Sequence, residues 1–214
     1  MKDKIKKIVR PLYDLYFKLK INKYQFLEIT KKKYTAKEIL NKRFFVCYKL
    51  IKKYKFEKVL EIGSFRGDLT YFLAKNIKNI QLNVIEPYDK YVDQKMDIEK
   101  NTMQKYKNDI CTFLSSEINE KKIIFHFDKS QNIFEKFNEN YFDFIFIDGD
   151  HSYQGCFNDL NNYYSKCRSG GIIAIHDYDR KSMIEVKEAV DKFCLEKKLK
   201  LNIDKNYVAY FFKS

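Results

Sequence analysis

The sequence predicts an α/β fold: a seven-stranded, mostly parallel sheet with a C-terminal antiparallel hairpin, helices on both faces, and a helical N-terminal appendage. Three observations carry this. From residue 57 onward, short apolar runs alternate with helical patterns, as in a parallel sheet covered on both faces. The last two runs, 199–203 and 207–212, are separated only by Asp204, Lys205 and Asn206, too few residues for a crossover helix, so they pair antiparallel. All 6 glycines fall after the first strand or around the fourth and fifth. These places are read as strand carboxyl ends or the turns beside them, where open α/β sheets bind ligands.

The elements follow in order. Residues 3–20 read as an amphipathic helix, with Ile5, Ile8, Val9, Leu12, Tyr16 and Leu19 at spacings of three and four and lysines filling the other faces. Pro11 kinks that helix or starts a second. A further helix over 35–54 carries Ile39, Leu40, Phe44, Val46, Cys47, Leu50 and Ile51. Strands are expected at 58–63, 80–86, 122–127, 142–148 and 171–176, ahead of the terminal pair. Helical stretches lie at 68–77, 131–138, 155–167 and 182–196, and 89–120 reads as one long helix or two short ones.

Charge divides the chain in two. Residues 1–55 hold 18 Lys/Arg against 4 Asp/Glu, a net of +14, whereas 56–214 hold 24 against 25, a net of −1. We therefore read 1–55 as a basic helical segment and 56–214 as the sheet domain. The basic helices pack on that domain with lysines in solvent, and residues 1–20 also suit contact with an anionic membrane surface. Apolar runs such as Phe44 to Tyr48 are too short to span a bilayer, and the scattered early charges do not suit a secretory leader. The 5 cysteines form no C-x-x-C pair and read as reduced thiols of a cytoplasmic protein.

Three motifs carry chemistry. Glu61-Ile62-Gly63-Ser64-Phe65-Arg66-Gly67 joins a strand to a helix without the second glycine of a dinucleotide fingerprint or the Lys-Ser/Thr of a phosphate loop. Glu86, ending the second strand, can accept both hydroxyls of a ribose. Asp148-Gly149-Asp150-His151-Ser152 and His176-Asp177 put carboxylates and imidazoles at two strand ends, while Asp150 or Ser152 also suits a helix cap. His126, the remaining histidine, reads as packing.

Together "LEIGSFRG", "VIEPY", "DFIFIDGDHSY" and "GGIIAIHDY" resemble S-adenosylmethionine-dependent methyltransferases of the class I, Rossmann-like fold. Within that class they are similar to the O-methyltransferase branch of polysaccharide and natural-product clusters, methyltransferase family 24. The resemblance covers about residues 55–213. It implies S-adenosylmethionine as cofactor, with Glu61, Gly63, Ser64 and Gly67 around the methionine end, Glu86 on the ribose, Ser130 by the adenine, and Asp148 and Asp150 in contact. A branched side chain at Gly63 would then fill space under the methionine moiety and leave the fold largely intact.

Metal-dependent relatives place a divalent ion, Mg²⁺ or another, on residues matching Asp148, His176 and Asp177, where the first of the last two is usually an oxygen ligand. The alternative makes His176 or His151 a general base of ordinary imidazole pKa, with Asp148 binding substrate or orienting the histidine. A small hydroxyl-bearing acceptor, a sugar or surface-glycan precursor, is implied. Ribose methylation of RNA and a non-catalytic membrane-peripheral module are the rival readings. Nucleic acid is disfavoured: neither proline, Pro11 nor Pro87, begins a Pro-Pro or Pro-Cys dipeptide, which excludes the base-flipping amine and cytosine-carbon methylases.

Overall fold

A computed structural model describes residues 43–92 and 96–214. The predicted helix at 3–20 and the first part of that at 35–54 lie outside them. From Arg43 the second helix is present as α1 (Arg43–Tyr54). There follow β1 (Lys58–Ile62), α2 (Asp68–Asn76), β2 (Gln81–Ile85), β3 (Tyr91–Val92), β4 (Asp97–Ile98), α3 (Lys100–Phe113), α4 (Ser115–Asn119) and β5 (Ile123–His126). The chain continues with α5 (Ser130–Ile133), β6 (Phe142–Ile147), α6 (Tyr153–Tyr164), β7 (Cys167–Ile175), α7 (Ile184–Glu196), β8 (Asn202–Ile203) and β9 (Ala209–Phe212).

The main sheet runs β5-β2-β1-β6-β7-β9-β8, with β9 antiparallel to both of its neighbours. Its central strands are buried on both faces, and the period-two alternation sorts their side chains. Val59, Leu82, Val84, Phe144 and Phe146 meet Phe44, Leu50 and Ile51 of α1 and Phe72 of α2. Leu60, Ile62, Ile145, Ile147, Ile173 and Ile175 meet Leu160 of α6 and Val190 and Phe193 of α7. Helix α1 therefore belongs to the core of one face. Among the described residues no helix is long and apolar enough to cross a membrane.

Several local expectations change. Residues 89–120 form a two-stranded β3–β4 pair and then two helices. The 131–138 stretch is a single turn of α-helix followed by a 3₁₀ turn over Phe134–Lys136. Strand β7 starts at Cys167, so Gly170 and Gly171 lie at its amino-terminal end, away from the strand carboxyl ends. A β-carbon on Gly171 would lie 2.8 Å from the Asp143 carbonyl oxygen, beside the register shift between β6 and β7. These two glycines serve strand pairing rather than a ligand.

Chain order reverses direction between β1 and β6, which places a crevice at their carboxyl ends. There Gly63 donates its N–H to the Ile85 carbonyl and Asp148 donates to that of Ile62. Gly63 has φ +83°, and a β-carbon on it would stand 2.3 Å from the Asp148 carbonyl oxygen. Its lack of a side chain thus sets the approach of two strands, and the expectation that Gly63→Val spares the fold is corrected. Gly63→Val is expected to cost about 2–4 kcal/mol of stability. A urea midpoint equal to that of the unaltered protein would refute this.

Candidate active site

The crevice is a cleft of about 510 Å³, within the range of small-molecule sites. Of the residues marked by sequence, Gly63, Glu86, Ser130, Asp148, Asp150, His151, His176 and Asp177 line it. Glu61, Ser64 and Gly67 do not. Glu61 is buried behind the wall, where Thr70 donates a 2.6 Å hydrogen bond to it and burial pushes its pKa up to about 8. Ser64 is buried with its hydroxyl 3.2 Å from that of Tyr88. A β-carbon on Gly67 would meet Ile110 at 2.6 Å, so this glycine lets α3, not a ligand, approach α2.

Glu86 fastens the turn after β1. Its carboxylate accepts from the N–H groups of Phe65 (2.7 Å) and Tyr88 (3.3 Å), and burial raises its pKa. Phe65 and Tyr88 both have positive φ, so the turn is strained where it is fastened. Asp150 accepts from the Ser152 N–H, and Ser152 caps α6 by accepting from the Gly155 N–H. The two cap functions foreseen for this motif therefore coexist with its place in the cleft. His126 packs edge-on against Phe137, with Nε2 2.9 Å from Asn83 Oδ1.

At the ends of β6 and β7 four side chains converge. His176 Nδ1 lies 2.9 Å from Asp148 Oδ1 and 3.3 Å from Asp177 Oδ2, and His151 Nε2 lies 3.2 Å from Asp177 Oδ2. Two arginines balance the carboxylates: Arg43 Nε is 2.8 Å from Asp148 Oδ2, and Arg180 is 2.6 Å from Asp177 Oδ1. Burial alone would raise both carboxyls, but Arg43 and His176 at Asp148, and the two imidazoles with Arg180 at Asp177, hold them well below the carboxylate range. Burial likewise opposes charge on His151, yet its hydrogen bonds to Asp148 and Asp177 push it up to about 10; His176 is raised by Asp148 against the same burial. The expectation of an imidazole of ordinary pKa is corrected on this point.

The donor atoms of Asp148, His151 and Asp177 lie within 4.8 Å of one another, close enough to share an ion. The convergent set therefore contains His151 where sequence had placed His176, whose Nδ1 is engaged by Asp148. Two oxygens and one nitrogen fit a borderline divalent ion better than Mg²⁺.

Residues 60–178, more than half of the chain, match the sequence pattern of a methyltransferase-domain family. The chain belongs to that family. Its cofactor is S-adenosylmethionine, and the methyltransferase is an enzyme of the class I fold. An uncharacterized protein of Acanthamoeba polyphaga mimivirus is 29% identical over 171 residues, covering 76% of this chain and 73% of its own. A candidate caffeoyl-CoA O-methyltransferase from Staphylococcus aureus shares the fold at TM-score 0.63 and 16% identity, over 95% of this chain and 100% of that one. The O-methyltransferase TomG from Streptomyces achromogenes, solved with S-adenosylmethionine, aligns at TM-score 0.57 and 12% identity over 80% of each chain.

Sequence reasoning missed several cleft residues of this methyltransferase: Arg43, Asp68, Asp159 and Arg180. Asp159 is buried on the packed face of α6 beside Cys156, Leu160 and Tyr163, accepts a 2.5 Å hydrogen bond from Ser130, and is pushed up to about 7 by burial. A carboxylate at an apolar-face spacing was the available signal. Arg43 stood out only as an arginine in a segment rich in lysine.

The charge cluster predicts how stability depends on pH. His151 is raised in the folded protein, so its contribution is complete below the unfolded imidazole value of about 6.5 and is lost as pH rises through about 10. Glu61, protonated up to about 8 when folded, adds to the decline over its lower part. Asp148 and Asp177 are depressed, so their contribution persists above the unfolded carboxyl range and is lost only in strong acid. Denaturation midpoints should therefore fall from about pH 6.5 to pH 10, and His151→Gln should flatten the upper part of that fall. A midpoint that rises over this range would contradict the assignment.

Proposed function

We propose that the enzyme methylates a hydroxyl oxygen of a small acceptor, with His176 as general base and Asp148 as its orienting partner. The observation that carries this is the 2.9 Å contact of His176 Nδ1 with Asp148 Oδ1 inside the cleft, which leaves Nε2 as the proton-accepting atom. S-adenosylmethionine, when bound, supplies an already activated methyl group, so the chain's work is alignment and proton removal. We assign the ribose hydroxyls to Glu86 and the adenine border to Ser130 with Asp159, a reading supported by their common place in the cleft lining. Asp148 fixes the imidazole and compensates the positive charge that His176 gains with the hydroxyl proton. A divalent ion held by Asp148, His151 and Asp177 would lower the proton affinity of the same hydroxyl.

The acceptor proposed is a sugar or surface-glycan precursor, supported by the resemblance of the four motifs and by a cleft of small-molecule size. A small acceptor is favoured over RNA because the excess positive charge precedes residue 56 and the remainder has a net charge of −1. Free cysteines support a cytoplasmic setting. The +14 charge of residues 1–55 supports contact of residues 1–20 with an anionic membrane surface.

His176→Ala is expected to lower kcat by about 100-fold or more while leaving S-adenosylhomocysteine affinity little changed. In the unaltered enzyme, kcat should rise with pH and level off above the ordinary imidazole value of about 6.5, because the pair with Asp148 raises His176. EDTA should leave turnover nearly intact. Complete inhibition reversed by Mn²⁺ would instead assign proton removal to an ion on Asp148, His151 and Asp177.

A further inference from the structure

One part of the cleft wall has no use in the proton transfer above. Arg43, reaching in from α1, is paired with Asp148 through Nε and lies over the Phe44 ring, 5.2 Å from its centroid. The side chain is 24% exposed and lines the cleft. On the same wall, Asp68 opens α2 directly after the 63–67 turn. Arg66 binds Asp68 Oδ2 at 3.1 Å, while Oδ1 is buried without a hydrogen-bond partner. Such a carboxylate oxygen is costly to leave unpaired. Arg43 and Asp68 also sense each other's charge. The wall thus offers a guanidinium and an unpartnered carboxylate oxygen of opposite charge, in the cleft that Gly63 also lines.

That pattern matches a zwitterion carrying a carboxylate and an ammonium on one carbon. We propose that Arg43 and Asp68 clamp the amino-acid end of the cofactor, the Arg43 guanidinium binding the carboxylate and Asp68 the ammonium. The proposal rests on the cleft being the cofactor site and adds two residues to it, one of them in the helix that precedes the sheet. The guanidinium can serve Asp148 and a ligand together because its planar fork carries five N–H donors.

The test is calorimetry with three probes: S-adenosylhomocysteine, its decarboxylated analogue, which keeps the amine, and 5′-methylthioadenosine, which lacks the whole amino-acid end. In the unaltered protein, the decarboxylated analogue should bind about tenfold or more weaker than S-adenosylhomocysteine. Arg43→Gln should weaken S-adenosylhomocysteine by a similar factor and leave both other probes unchanged. Asp68→Asn should weaken S-adenosylhomocysteine and the decarboxylated analogue but not 5′-methylthioadenosine. Equal weakening of all three probes by a variant, or no weakening of any, would overturn the clamp. If a variant does not fold, the comparison in the unaltered protein decides, and equal affinity for S-adenosylhomocysteine and its decarboxylated analogue would overturn it. Failure of 5′-methylthioadenosine to bind the unaltered protein would instead remove the cofactor cleft itself, and the clamp with it.

Discussion

A carboxylate buried at the end of a central strand organises this molecule. Asp148 is nearly withdrawn from water, and an isolated charge there would be untenable, so its surroundings supply opposite charge from two directions. The Arg43 guanidinium comes from α1 on one face, and the His176 imidazole from the neighbouring strand β7. Its backbone imposes a second demand, because its carbonyl occupies the space where residue 63 would carry a β-carbon. Charge pairing and backbone contact at one residue thus link α1, β1, β6 and β7.

The acidic character of the cleft follows the same logic. Asp68, Glu86, Asp148, Asp159 and Asp177 line the cleft, and each already has a local donor. Those donors keep the carboxylates from repelling one another before a ligand arrives. The imidazoles do likewise at the ends of β6 and β7, and the arginines prevent the cluster from carrying a large net charge in a partly dehydrated site.

The sequence was most legible where periodicity and chain length leave little choice. The runs around Leu60, Val84, Ile145 and Ile173 could only be strands buried on both faces, and the short gap at 204–206 fixed the reversed β9. The glycines were harder, since residue type does not say what approaches. Gly63 faces a strand, Gly67 faces Ile110 and Gly171 faces Asp143, although in sequence all three sit where a ligand would need room. Polar residues were legible as a group at the strand ends but not in their pairings. Nothing local separates His151 from His176 as the closer donor to Asp177, because that depends on how β6 and β7 leave the sheet. Ser64 looked like a ligand contact because its hydroxyl sits in the motif, yet Tyr88, made left-handed by the next turn, captures it.

The pairing of Arg43 with Asp148 also has a consequence for how the chain folds. Strand pairs β1–β2, β2–β5 and β6–β7 are joined through the helices between them, whereas this contact, like the β1–β6 pairing, links distant parts of the chain. Closing so long a loop costs entropy that the pair recovers only once β6 is seated. A compact intermediate with its strands aligned, but with α1 undocked, would bury Asp148 without its guanidinium. Such a species would favour the protonated carboxyl, so the docking of α1 and the ionisation of Asp148 are coupled.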